Sequence, residues 1–287
     1  MQLDQKTQET LPVVTYTHES RLRRPGELFR EIWTDLRSSK ELAWQLFYRK
    51  ISMRYRQSFL GPLWAFIPPI LIALTSTVLR QSGVFEVEDT AIPYPLYVLF
   101  TTILWQIFAR SLDMPLRAMK EGLALLRTVR VPVEGLMLAA IGELLFDQGI
   151  QILVLAGVFA FFQVPITWGV IPALGALLLL MFFGMALGLF LVPIGSLYTD
   201  IPSALPYLTR FWFFLTPILY PPPEDWPYSL LVELNPVTPL LLGVLELTTT
   251  GTMSNVFTFT AISLLTVVGF LVGWIVYRIA VPLLVER

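Results

Sequence analysis

Five ionisable side chains stand inside apolar runs of this sequence: Arg110, Asp113, Glu143, Asp147 and Arg210. A pair of carboxylates can run general acid–base chemistry or relay protons. Glu143 and Asp147 are four residues apart, so on a helix they stack on one face. Three roles are open to them. They can pair with Arg110, Arg210 or a cation at the membrane interface and orient the helix; they can line a substrate path; or they can relay protons. A charge at the centre of a bilayer costs ~2.5–3.5 kcal/mol on insertion scales, so such groups face the interior of a bundle. A proton-coupled carrier would spread charges near mid-bilayer over several spans.

Other chemistry is excluded by residue type. There is no cysteine and a single histidine, His18, which lies in a polar N-terminal stretch and reads as an ordinary solvated residue. No disulfide framework, thiolate site or usual metal cluster can be built from that set. No G-x-x-x-x-G-K-[ST] loop, H-E-x-x-H or G-x-S-x-G occurs. The chain is therefore expected to be no enzyme and to bind no metal or cofactor of its own, and nothing suggests a nucleic-acid partner.

The elements that must position these residues are membrane spans. Of 287 residues, 55% are hydrophobic and only 14% charged, against about 25% charged in soluble domains; mean hydropathy is +0.66. Apolar runs of roughly 20 residues match ~30 Å of hydrocarbon. They predict spans near 62–80, 93–113, 136–162, 166–194, 203–220 and 256–282. Between the last two, Tyr228 to Leu247 is apolar but interrupted by Glu233, Asn235, Pro236 and Pro239, and reads as re-entrant short helices. The fold class is an all-α polytopic membrane protein with six transmembrane helices, an N-terminal amphipathic interfacial helix, and re-entrant helices on the outer side between spans five and six. The expected divisions are an extension over 1–39, the amphipathic helix over 40–60 and the six-span domain over 61–287.

Loop charge sets the orientation. Residues 1–61 hold eleven Lys/Arg, and the 114–135 loop adds Arg117, Lys120, Arg127 and Arg130. The alternate loops 81–92, 163–165 and 221–255 hold none. Cytoplasmic loops carry the Lys/Arg excess, so both termini face the cytoplasm, as six spans require. The first forty residues have no apolar core of a signal peptide. Arg80, at an outer end, is the one dissenting cation and can snorkel to the headgroups.

Projected on a helix, Trp44, Tyr48, Ile51, Tyr55 and Phe59 share one face, and Arg49, Lys50, Arg54, Arg56 and Gln57 point away from it. This is an interfacial helix with a basic face, and Gly61-Pro62 turns the chain into the bilayer. Gly184 with Gly188, and Gly269 with Gly273, are spaced for close helix approach. The aromatic run from Arg210 to Tyr220 is dense in mid-span. It serves either core packing or a pore whose rings stack on sugar C–H faces.

The succession "FYRKISMRYRQSFLGPLWAFIPP", "LLRTVRVPVEGLMLAA", "LYTDIPSALPYLTRFWFFLTPILYP" and "LNPVTPLLLGVLEL" resembles the permease subunits of ABC transporters that export polysaccharides: O-antigen, capsule and teichoic acid. The likeness runs in order over residues 40–280. It implies a six-span, multi-pass permease of the cytoplasmic (inner) membrane, working as a homodimer. Each copy would bind a separate ATPase subunit that holds the ATP and Mg. The cargo implied is a lipid-linked glycan. The resemblance puts the basic helix beside the substrate entry; with the aromatic run read as a pore lining, the candidate substrate path is Trp44, Tyr48, Arg54, Tyr55, Arg56, Phe211, Trp212, Phe214 and Tyr220. A cytoplasmic loop over 114–132 would couple to the ATPase through Glu121, Leu123, Leu126, Arg127 and Pro132, with Asp200 on the next loop. Pro217, Asn235 and Pro236 would belong to the outer re-entrant helices. The chain departs from the pattern at Thr199-Asp200, where Arg-Asp is usual, and at Glu246, where a basic residue is common. The alternatives are an ABC permease for a small lipid or drug, or a membrane-embedded glycan enzyme or scaffold.

Overall fold

At a rise of 1.5 Å per residue, crossing ~30 Å of hydrocarbon takes about 20 residues. The computed structural model describes residues 34–56, 61, 64, 66–84, 90–128, 133–165, 167–223 and 225–285. Among these, four helices are long and apolar enough to cross a membrane, and there is no strand.

A helical turn at 34–38 leads into α1 (Lys40–Arg56). Then come α2 (Ile67–Gln81), α3 (Tyr94–Thr128), α4 (Val133–Phe161), α5 (Val170–Leu197) and α6 (Asp200–Leu215). The short helices α7 (Tyr228–Glu233) and α8 (Val237–Thr249) precede α9 (Val256–Val285). The four long crossing helices are α3, α4, α5 and α9. The two remaining expected spans are shorter, 15 residues in α2 and 16 in α6. Tyr228 to Leu247 is broken as expected: α7 and α8 meet at Asn235-Pro236.

The centre of the bundle is α3 against α5. Gly184 and Gly188 make it possible. A Cβ on Gly184 would sit 2.7 Å from the Phe108 carbonyl oxygen, and one on Gly188 would collide with the Leu112 carbonyl oxygen and the Pro115 ring. Leu180, Met185, Leu189 and Val192 of α5 close over Ile103, Ile107 and Phe108 of α3, all fully buried. The second small pair is uneven: a Cβ on Gly269 of α9 would make only an ordinary 3.9 Å contact with Ala186, whereas one on Gly273 would stand 3.2 Å from the Leu189 Cβ and 3.3 Å from the Ala186 carbonyl oxygen. Around this centre α9 and α8 pack on α5, α4 and α2 on α3, and α1 on α4, while α6 touches α3 and α5 only lightly.

One expectation is corrected. The segment from Met114 to Thr128, read as a loop, continues α3 as unbroken helix, 35 residues in all and ~52 Å long. Its Leu, Ala, Met, Lys, Glu and Arg are strong helix formers. Charge marks where the helix leaves the hydrocarbon, which is not where it ends. Residues 129–132 lie outside the described residues.

Candidate functional site

At the α1 end of the bundle, α1 lies across α4. Gly135 and Gly142 leave room for it: their Cβ positions would stand 3.0 Å from Leu42 and 3.2 Å from Phe47. Beyond this apolar seat the contact becomes ionic. Lys50 Nζ is 2.9 Å from Glu143 Oε1 and 2.8 Å from Glu121 Oε2. Arg54 donates to both Asp147 oxygens (3.0 and 2.8 Å) and to Glu143 Oε2 (2.8 Å). Arg110 reaches Asp147 at 3.7 Å, and Arg117 pairs with Asp113 one turn away at 2.9 Å. Of the roles open to Glu143 and Asp147, the geometry favours pairing with interfacial cations and Arg110. Arg210 is not a partner. Each carboxylate is held by cations. Burial lowers the Lys50 pKa, but hydrogen bonds and attraction from Glu121 and Glu143 outweigh it and leave it above its ordinary value.

These residues border a cavity of ≈ 550 Å³ between α1, α3 and α4, lined also by Trp64 and Gly61. Gly61 has φ +49°, a left-handed turn that suits glycine. Trp44 and Tyr48 are exposed on the other side of α1, with Trp44 5.5 Å from the Phe47 ring. Arg49 and Arg56 are exposed. The side chain of Tyr55, and residues 57–60, lie outside the described residues.

The aromatic run divides in two. Trp212 and Phe213 turn inward, packing on Trp105 at 6.2 and 6.0 Å, and Trp212 meets Phe108 edge-on at 5.3 Å. Phe211 and Phe214, with Tyr207 and Leu208, stay exposed. So core packing accounts for Trp212, while an unfilled aromatic face accounts for Phe211 and Phe214. The Tyr220 hydroxyl donates to the Phe214 carbonyl, closing the turn after α6 (3.1 Å).

That turn is tied by Asn235. Its Oδ1 accepts from Trp212 Nε1 (3.0 Å) and from the Val237 amide (3.1 Å). Its Nδ2 donates to Thr216 Oγ1 (2.8 Å) and the Leu215 carbonyl (3.4 Å). Pro236 frees the chain from needing a donor there, and α8 starts at once. Irregular backbone that is buried needs its carbonyls satisfied by protein. A row of hydroxyls on α3, which the sequence reading missed, satisfies them. Tyr94 donates to the Leu219 carbonyl (2.9 Å), Tyr97 lies 3.1 and 2.9 Å from the Pro217 and Tyr220 carbonyls, and Thr101 is 2.8 Å from the Ile218 carbonyl. Their spacing, three then four, was the available signal: it places them on one face of a helix. Glu246 has a local task, accepting from the Ser254 amide (2.7 Å) and hydroxyl (2.9 Å) to shape the α8–α9 connection.

Of the expected coupling residues, Glu121 is engaged by Lys50, Leu126 is buried, Leu123 is half-buried and Asp200 is exposed at the start of α6. The Arg127 side chain and Pro132 lie outside the described residues. Close to this segment is a second ionic cluster that the sequence did not announce. Arg278, near the end of α9, donates to Glu134 at the start of α4 (2.9 Å) and to Asp35 in the N-terminal turn (2.7 Å). Arg278 and Glu134 are buried.

Long apolar helices, with a polar cavity at one end and a broken helical hairpin at the other, mark a multi-pass membrane protein. The chain belongs to the ABC-2 type transporter family, which it matches over residues 41–249. It is similar to the O-antigen export system permease protein RfbA of Myxococcus xanthus, 30% identical over 207 residues, covering 68% of this chain and 75% of that one. It is also similar to the polysialic acid transport protein KpsM of Escherichia coli, 24% identical over 253 residues, covering 81% of this chain and 91% of that one.

Proposed function

We propose that this chain is the transmembrane subunit of an ATP-driven exporter that moves a lipid-linked polysaccharide across the cytoplasmic membrane. It works as a homodimer, with ATP and Mg on a separate ATPase subunit bound to each copy. The relatives are by name an O-antigen export system permease and a polysialic acid transport protein. The observation that carries the reading is the face of α6. Tyr207, Phe211 and Phe214 stand at helical spacing, exposed, on a helix that its own chain barely covers. A second copy laid against it would enclose an aromatic path, and ring faces suit the C–H faces of sugars. A hydroxyl moved into hydrocarbon without a partner costs ~4–8 kcal/mol, so a glycan needs such a lined, hydrated route.

In this reading α2 and α6 complete six spans, and the Lys/Arg excess puts both termini in the cytoplasm. The inner end of α3 and Asp200 dock the ATPase, while α7 and α8 form the outer re-entrant pair. The cavity beside Lys50 and Arg54 lies where a lipid-linked substrate would approach from the inner leaflet.

The test is co-purification with the ATPase encoded beside this chain. A stoichiometric complex is expected whose ATP hydrolysis rate changes when Arg127 and Asp200 are reversed in charge. Glu121 is the poorer choice because its replacement also loosens Lys50. A chain that purifies alone, indifferent to those changes, would end the proposal.

A further inference from the structure

On the exposed face of α6, between the aromatic rings, stands Arg210. At 100° per residue Ser203, Tyr207, Arg210, Phe211 and Phe214 fall on one stripe. The Arg210 guanidinium lies 6.0 Å from the centre of the Tyr207 ring, and among the described residues no carboxylate is within salt-bridge distance of it. This sets it apart from Arg54, Arg110, Arg117 and Arg278, each of which meets an acid. It is about 15 Å along the helix from Asp200, too deep to share that residue's charge.

An unpaired guanidinium in an apolar helix is stable only facing water or an anion. In the proposed homodimer a two-fold axis doubles the charge: a stripe shared by both copies carries two Arg210 and no acid. Two like charges cannot close into a dry interface. They can face a hydrated channel, or an anionic group inside it. Arginine suits the second task, since its planar fork binds carboxylate or phosphate through two parallel hydrogen bonds.

We propose that Arg210 is a specificity-determining residue of the path, and that the cargo it contacts bears anionic oxygens. They come either from acidic sugars along the chain or from the phosphate joining glycan to lipid. This rests on the reading of α6 as a path wall, and the experiment separates the two claims.

The chain has no cysteine, so Phe214→Cys places a unique thiol one turn from Arg210. The complex with its ATPase is treated in membranes with an anionic and with a cationic methanethiosulfonate, and labelling of this chain is followed by mass. The anionic reagent is expected to react faster, and Arg210→Gln to reduce that preference about tenfold, the scale of one charge at close range in a partly hydrated site. Arg210→Lys should retain most of it, which a merely structural role would not predict. Reaction with no charge preference, or a preference indifferent to residue 210, overturns the anion contact and leaves the path standing. No reaction with either reagent overturns both, because the face is then dry.

Protection names the source of the charge. A short oligogalacturonate that slows labelling, when its carboxyl-reduced counterpart does not, assigns the contact to acidic sugars. Inorganic pyrophosphate that does so assigns it to the lipid-linked end. Protection by the neutral oligomer as strong as by the acidic one, with none by pyrophosphate, overturns the proposal.

Discussion

Asn235 shows how much of this molecule rests on single side chains. It satisfies two donors and two acceptors where α6, the following turn and α8 meet. Asn235→Ala strands the Trp212 indole N–H and the Val237 amide in a buried place. Each orphaned group costs about 1–3 kcal/mol, so the thermal midpoint in detergent should drop by more than for any exposed substitution. Asn235→Asp still accepts both donors but offers no hydrogen to Thr216, and should fall between. Lys50 supports a pH prediction. Its pKa is raised above 10.5 in the folded protein, so its contribution is complete below the unfolded value and lost as pH climbs through the folded one. Fluorescence of Trp44 on the docked α1 is expected to stay flat from about pH 7 to about pH 10 and to change only above that range.

The helices differ in how tightly they meet, and the two glycine pairs make that measurable. Gly188→Ala drives a methyl into the α3 backbone at Leu112 and Pro115, where nothing can give way. Overpacking of this kind costs about 1–3 kcal/mol or more, and the yield of folded protein should fall sharply. Gly269→Ala meets only Ala186 at van der Waals distance and should melt within a degree or two of the parent, about the scale of a neutral substitution. Nothing in the sequence separates Gly188 from Gly269, since the spacing within their pairs is identical and only the closeness of the neighbouring helix differs. Hydropathy located the long helices because lipid demands apolar length from any sequence that crosses it. It misread 114–128 as loop because charge and helix end are independent properties. It found the Asn-Pro break, yet missed Tyr94, Tyr97 and Thr101, because their partners are backbone carbonyls that leave no mark in residue identity. The α1 helix was legible as amphipathic, but periodicity alone could not tell that its basic side would be claimed by Glu143 and Asp147.

Across the whole molecule, Arg278 joins parts that the sequence holds far apart: 144 residues separate it from Glu134 and 243 from Asp35. No pattern of spacing reveals such a pair. Breaking a buried ion pair leaves an uncompensated charge and costs about 3–5 kcal/mol. Arg278→Gln should therefore lower the unfolding midpoint and free the 34–38 turn to proteolysis, whereas Glu134→Gln with Arg278→Gln together should recover part of the loss. The unbroken length of α3 has a mechanical consequence. One end grips the turn at Pro217 to Tyr220 through its hydroxyl row, and the other stands ~52 Å away, where the ATPase is proposed to dock. The helix stays continuous through Pro115, so it can work as a lever: a tilt of about 5° at its middle swings the two ends about 2 Å each in opposite directions. Chemical work done on one side of the bilayer would thus arrive on the other as displacement, with no relay of intermediate contacts.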